Sequence, residues 1–539
     1  MIKSESITIM KLRLTLFSFF VFGVTVLSQP LPKIYIDTMG GTIVDDPKIT
    51  AKMLIADNKR IDYDNYIGIE LRGNSSQAFF PKKSYGIETR DSLGNDIKVS
   101  LLGFPAEADW VLYATYTDKT TIRNNLMYYL SNKMGHYASR TKYVEVYLNG
   151  EYNGLYVLME RIKRDKNRVN IAKLDPNEIS GDNLTGGYLF RIDRPNGSEN
   201  GWNSSYKFSN NATTYPYYEY QYPKPENLVA EQKTYIQNYM YNFETKMKSN
   251  TFNDDQTGYP ALIDMNSFAD YYILNELSNN VDGYRLSTYL YKDINSVSSR
   301  LVAGPVWDYD IALGNANYGD GASLSNFRFN YDQTWEGLPF PFWWPKIAND
   351  AKMQNHIKTR WEKFKNQFLH PDSVSKWVYA NLPPQEAIDS NYVKWPIIGE
   401  WVWPNAKVFQ SFSAEVGYML AWYNGRYLWL DKNWKGTAVS VDDNNQDKQN
   451  PFDFKLTSPY PNPFNPETFF TVESNKTQNF KIELYSILGQ KINTVFSGNI
   501  SENTKQNFTI SGRNLTSGIY FLKVSTDRKT VTKKMVLMK

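Results

Sequence analysis

Residues 436–454, GTAVSVDDNNQDKQNPFDF, are polar, acidic and without any hydrophobic period, so they offer no face to bury and read as a linker. The chain on either side must therefore close a core of its own. Of the 539 residues 41% are apolar and 15% aromatic, so the long segment before the linker can bury enough surface to offset the entropy of ordering it.

The two ends carry signals of a different kind. Lys11 and Arg13 precede the apolar run LTLFSFFVFGVTVLS, which stops at Ser28, Gln29 and Pro30 and falls short of the roughly twenty residues a spanning helix needs. A cleaved signal peptide over 1–29 is expected, with no transmembrane segment left after its removal. The main domain is then expected over 30–435, the linker over 436–454 and a small β-domain over 455–539, where strand-like runs and turn signals alternate at short intervals.

Within the main domain, IYIDT, YIGIELRG and KSYGIETR read as strands of a β-rich lobe. Ile122, Leu126, Tyr129, Leu130 and Met134 recur at three and four residues, which predicts an amphipathic helix capped by Thr117 or Asp118 and stopped by Gly135. KYVEVYLNGEYNGLYVLMERI alternates on both sides of Asn149-Gly150, the pair that supplies two positive φ angles in a tight hairpin. Helical spacing returns over 226–249, 265–277, 344–369 and 406–432, so the second half is mainly helical.

Lysine and arginine number 60 against 56 acidic residues, a formal charge of +4, which is too small at this size to point to nucleic acid. Without cysteine, and with only His136, His356 and His370 far apart in sequence, a thiolate or multi-histidine metal site is excluded in practice. A metal would sit on oxygen ligands. Three clusters could carry chemistry. ELRGNSSQAFFPKKSYGIE (70–88) sets Arg72, Lys82 and Lys83 beside a Gly/Asn/Ser turn, where cations can hold phosphate or simply guard a strand edge. NELSNNVDGYRLSTYLYKD (275–293) exposes Asp282 in a turn between helix and strand, and GPVWDYDIALGN (304–315) sets Asp308 and Asp310 after an apolar strand. Only one of that last pair is expected to enter a given site. Trp343 and Trp344 would suit the sugar cleft of a glycosidase, but packing between helices is the plainer reading.

The order of basic strand, loop aspartate and second aspartate is the order used in protein-kinase phosphoryl transfer. RGNSSQ with PKKSY, WVLYATYTDKTTIRN, YVEVYLNGEYNGLYVLMER, NNVDGYRLSTYLYKD and VWDYDIALGN resemble the successive signatures of the CotH family over about residues 31–430. The resemblance implies an α+β, atypical protein-kinase-like two-lobed domain that uses ATP with Mg2+ or Mn2+ to phosphorylate Ser/Thr hydroxyls of a secreted or cell-surface protein. By the same resemblance Asp282 is the catalytic-loop aspartate and Asp308 a metal ligand, preferred over Asp310. Lys82 or Lys83, with Arg72, would meet phosphate, and Glu160 would partner the lysine. Protein kinases place a metal-binding Asn five residues after the catalytic aspartate. This chain has Ser287 there, a weaker metal ligand. HRD, DFG and GxGxxG motifs are absent from the sequence. An inactive kinase-like surface or adhesion module is therefore the alternative expectation.

SPYPNPFNPET (458–468), IELYSILGQKI (482–492), LTSGIYFLKV (515–524) and the terminal KKMVLMK resemble the type IX secretion sorting domain. That resemblance implies a small β-sandwich, the type IX machinery as partner, and a secreted or cell-surface location reached through the periplasm and outer membrane.

Overall fold

A computed structural model describes residues 30–434, apart from 196, 198, 209–211 and 332–338, and residues 454–537, apart from 458, 463, 487–489, 517 and 527–529. The segment expected to be a signal peptide, and all of the linker except Phe454, lie outside the described residues. The chain divides into two compact units, Met1–Thr437 and Ala438–Lys539.

The first unit begins with seven strands, β1 (Lys33–Asp37), β2 (Ile49–Asp57), β3 (Arg60–Arg72), β4 (Ser84–Arg90), β5 (Asp109–Ala114), β6 (Thr141–Leu148) and β7 (Glu151–Glu160). The first two bury alternate side chains, while β4, β5 and β7 of the same set are buried along consecutive residues. They close into a barrel in the order β1-β2-β3-β4-β5-β7-β6, sealed by a parallel pairing of β1 with β6. In β2 the inward set is Ala51, Met53 and Ile55, which meets Ile67, Ile87, Leu112, Val146 and Leu158 in one apolar core. Asn149 (φ 51°) and Gly150 (φ 85°) turn the β6–β7 hairpin as the sequence predicts.

Beyond the barrel, β8 (Tyr188–Asp193), β9 (Gly201–Asn203), β10 (Tyr217–Tyr222), β11 (Thr288–Lys292) and β12 (Leu301–Ala303) form a five-stranded antiparallel sheet in the order β12-β11-β8-β10-β9. Helices pack beside it around Met265–Ser278, in which every residue from Ser267 to Ser278 is buried. A helix buried on all sides is a core element, and it carries the loop that holds Asp282. Trp343 and Trp344 are buried in this same core, so they pack helices and line no cleft.

Several helix boundaries differ from the sequence expectation for local reasons. The predicted helix at 117 begins only at Arg123, because Thr121 is left-handed (φ 61°). Asp118 still serves its first turn by accepting from Arg123 N at 2.9 Å. The single helix expected over 344–369 is two, Trp343–Ala348 and Ala351–Phe364, because Asp350 accepts from Lys352 N and caps a fresh start. Helices Pro371–Asn381 and Gln385–Lys394 lie outside the segments where the sequence predicts helix.

The second unit holds β13 (Phe454–Leu456), β14 (Glu467–Ser474), β15 (Gln478–Ser486), β16 (Lys491–Ile500), β17 (Thr504–Ser511), β18 (Gly518–Ser525) and β19 (Thr530–Leu537). They make two antiparallel sheets, β13-β14-β17 and β16-β15-β18-β19, which share one core that includes Phe470, Val472, Ile482, Leu522, Val524 and Met535. Among the described residues no helix is long and apolar enough to cross a membrane.

Candidate functional site

The buried helix Met265–Ser278 ends at Asn279 in the left-handed region (φ 45°), and the chain then turns through 280–287 into β11. Gly283 permits that turn, since a side chain there would run into Asn275. The turn is held from below by Glu276, which is fully buried. Its carboxylate accepts from Tyr284 Oη at 2.9 Å, from the amides of Arg328 and Phe329 at 2.6 and 3.0 Å, and from Arg426 Nη2 at 3.1 Å. Arg426 Nε also donates to the Glu276 carbonyl at 2.6 Å. Burial raises the Glu276 pKa and lowers that of Arg426 to about 10, so each charge depends on the other. Arg426→Met should therefore cost about 3–5 kcal/mol by stranding a buried carboxylate. Denaturant unfolding of the main unit checks this, and a loss below about 1 kcal/mol would show that the clamp is not needed.

Asp282 stands at the top of the turn, half-buried, and accepts from Arg285 Nη2 at 3.0 Å. Asn280 joins it to the neighbouring loop, because its Oδ1 takes the Asp282 amide at 3.2 Å while its Nδ2 donates to the Asp308 carbonyl at 3.4 Å. Asp308 follows β12 with φ 67°. Its neighbour Tyr309 is fixed by Asn124, which accepts its amide at 2.6 Å, and by Asn275, which accepts its hydroxyl at 3.2 Å. Tyr284, Ser287 and Asp308 all sit at positive φ, which is costly for non-glycine residues and gathers where a loop is shaped for function.

Both aspartates of the Trp-Asp-Tyr-Asp run face this site, contrary to the expectation that only one would. Residues two apart share a face even within a strand, so that expectation misjudged the period; here the pair lies past the end of β12, with Asp308 at φ 67°. Burial, then the charges of Asp310, Asp282 and Asp193, hold the Asp308 carboxyl well above the usual range. Burial and then Asp118 push Asp310 up to about 6, although Tyr113 of β5 donates to it at 3.0 Å. Such a cluster of like charges favours a cation. Among the described residues no group of three or more His, Cys, Asp or Glu forms a ready metal nest. Two carboxylates completed by phosphate oxygens and water are, however, the usual way magnesium is held, and Asp308 with Asp310 fits that pattern.

Cations face the same place. Arg72, at the end of β3, lies over the Trp307 ring at 5.6 Å and makes no ion pair or hydrogen bond to any described residue. Burial, then the charge of Arg161, lowers its pKa to about 10. Nearby Arg191 is taken by Glu219 at 2.7 Å and Asp193 at 3.3 Å. Arg72 is thus a cation without an ion-pair partner among the described residues, set against the residue that precedes Asp308.

The other sequence candidates are engaged elsewhere. Lys82 is 2% exposed; its Nζ donates to the Leu155 carbonyl at 2.5 Å and to Asn391 Oδ1 at 3.0 Å, and burial pushes its pKa down to about 7. It ties β7 to helix Gln385–Lys394. Lys83 closes the turn before β4 by donating to the carbonyls of Gln77 and Phe80 at 2.5 and 2.6 Å. Glu160 meets neither lysine; its partners are Arg140 at 2.6 Å, Arg168 at 3.7 Å and Tyr137 Oη at 3.2 Å. Ser287 precedes β11 half-exposed, with no hydrogen bond to a described residue. Asp193 and Tyr113 are not among the sequence candidates, and Asp118 is one only as a helix cap. Asp193 is brought in by β8 pairing with β11, where Ile192 opposes Thr288, a contact no local pattern announces.

A family model described as CotH kinase protein matches residues 69–430, and one described as a secretion system C-terminal sorting domain matches residues 458–538. A search of curated proteins finds no match to the chain.

Proposed function

Because the chain belongs to the CotH kinase family, the match covering most of its length, we propose that its main unit transfers the terminal phosphate of ATP to Ser/Thr hydroxyls of an exported protein. The C-terminal sorting domain directs the chain through the type IX secretion system to the cell surface or the medium. In this reading the barrel is the smaller lobe and the helical region the larger lobe of a kinase-like pair, and the two sheets of the sorting domain form a β-sandwich.

The observation that carries the proposal is the convergence of three sequence-distant parts: Arg72 from the barrel, Asp282 after the buried helix, and Asp308 with Asp310 after β12. Asp308 and Asp310 would hold Mg2+ or Mn2+, which supplies charge neutralisation on the phosphates. Arg72 binds phosphate oxygens from the barrel side. Asp282, steadied by Arg285, accepts the hydrogen bond of the acceptor hydroxyl and takes its proton as the new O–P bond forms. Trp307 and Tyr113 wall the site and limit water.

The second reading, a non-catalytic surface or adhesion module, rests on Ser287 at the position of the second metal ligand and on Lys82 and Lys83 being held by backbone carbonyls. Incubating the intact chain with γ-labelled ATP, Mg2+ or Mn2+ and proteins exported by the same cell separates the two. Label on protein hydroxyls is expected. ATP binding without label on any protein, with either metal, would leave the binding module.

A further inference from the structure

Tyr113 belongs to the barrel, yet its hydroxyl ends on a carboxylate carried by the loop after β12. Alternation along β5 explains the direction. Trp110, Leu112 and Ala114 join the barrel core, so Val111 and Tyr113 point out of the barrel, against the apolar core built around the buried helix. β5 is paired on both sides, to β4 and to β7, and Tyr113 stands opposite Val157, so the phenol is carried on a fixed strand. It donates to Asp310 Oδ2 at 3.0 Å across 197 residues of sequence. An ionised carboxylate only accepts, which makes the phenol the donor.

The chain that leaves β5 also holds the Asp310 backbone. The Thr117 carbonyl accepts from Asn315 Nδ2 at 3.1 Å and from Asn405 Nδ2 at 2.8 Å. Asn315 Nδ2 donates as well to the Asp310 carbonyl at 2.8 Å, and Asn315 Oδ1 accepts from Asn405 Nδ2 at 2.9 Å. Both asparagines are buried. Side chain and main chain of Asp310 are thus both tied to residues 113–117. Asp308 is held by its backbone, since Tyr128 Oη accepts its amide and Asn280 Nδ2 donates to its carbonyl, each at 3.4 Å. A carboxylate held by nothing turns freely about its last bond and presents its oxygens in many directions. A hydrogen bond to one oxygen sets the plane of the group, which is how an outer partner aims a metal ligand. We propose that Tyr113 is a positioning residue for metal binding, which sets the plane of the Asp310 carboxylate from the barrel, so that the seat for Mg2+ is complete only where the barrel meets the helical core. The metal role of Asp310 rests on the kinase reading given above; the aiming role of Tyr113 rests on β5 and the loop 310–315.

Mg2+ demands near-ideal octahedral geometry, whereas Ca2+ accepts looser coordination, so a lost aim weakens the two ions unequally and a lost seat weakens both. The intact chain is titrated by calorimetry with the Mg2+ and the Ca2+ complexes of AMP-PNP, an ATP analogue that is not hydrolysed. Tyr113→Phe keeps the ring and loses only the hydroxyl. It is expected to weaken the Mg2+ complex about ten-fold or more and to leave the Ca2+ complex within about two-fold. Wild-type affinity of Tyr113→Phe for the Mg2+ complex, or an equal fall for both ions, overturns the role of Tyr113. A wild type that binds neither complex overturns it together with the kinase reading. A fall confined to Mg2+ in a chain that labels no protein keeps Tyr113 in place and sinks phosphate transfer; labelled protein with an unchanged Mg2+ affinity does the reverse.

Discussion

Asp308→Ala is expected to abolish the metal-dependent stabilisation that ATP gives the wild-type chain. At a ligand concentration about a hundred times Kd, binding to the native state alone is worth about 2.7 kcal/mol, and this whole gain should vanish, because Asp308 would hold the metal ion on which phosphate binding depends. The ligand-free variant should stay folded, because the Asp308 carboxylate sits among Asp310, Asp282 and Asp193, and removing one of several like charges relieves repulsion. The backbone is a competing factor: φ is 67° at residue 308, where Asn is tolerated better than Ala. Asp308→Asn should therefore lose nucleotide binding with less cost to the free protein. Thermal shift with and without ATP and Mg2+ or Mn2+ reads both variants, and an undiminished shift in both would remove Asp308 from the metal role.

Asp282→Asn should separate binding from chemistry. The Asp282 carboxylate accepts from Arg285 and lies one asparagine away from the Asp308 loop. It is placed to orient an acceptor hydroxyl, while Arg72 and the 308/310 pair carry the phosphates. An amide keeps the shape but accepts no proton, so ATP affinity should remain within about two-fold while transfer falls about 10²–10⁴-fold, the usual worth of a positioned general base. Titration calorimetry gives the first quantity and single-turnover transfer of labelled phosphate the second. Transfer at the wild-type rate would mean that the loop 280–287 is not the catalytic loop.

What the sequence made legible is what depends on near neighbours. Asn149-Gly150 turns its hairpin because two positive φ angles are needed in succession, and the alternation beside it sets the strand faces. The buried helix at 265 shows as helical spacing over 265–277, and the structure adds its cap, since Asp264 accepts from Ser267 N. Failures arise where distant chain decides. Nothing near Lys82 announces that Asn391 and the Leu155 carbonyl will take two of its three N–H donors, because helix Gln385–Lys394 reaches it from across the sequence. Glu160 reads as a lysine partner only until Arg140 and Arg168 are seen around it. Asp308 and Asp310 share a direction that their two-residue spacing already allowed, and the expectation that only one would enter the site misjudged that period. Arg72 stood out only as one cation among several, and its freedom follows from Arg191 and Arg161 being spoken for by Glu219, Asp193 and Asp109.

Phosphate transfer to an exported protein is tested most directly in the cell that makes this chain. Cells carrying the wild-type chain and cells carrying Asp282→Asn, secreted to equal levels, are compared by mapping phosphopeptides of the surface and medium fractions with mass spectrometry. A set of Ser/Thr phosphopeptides present with the wild type and missing with Asp282→Asn is the predicted result; identical sets in the two strains would contradict it.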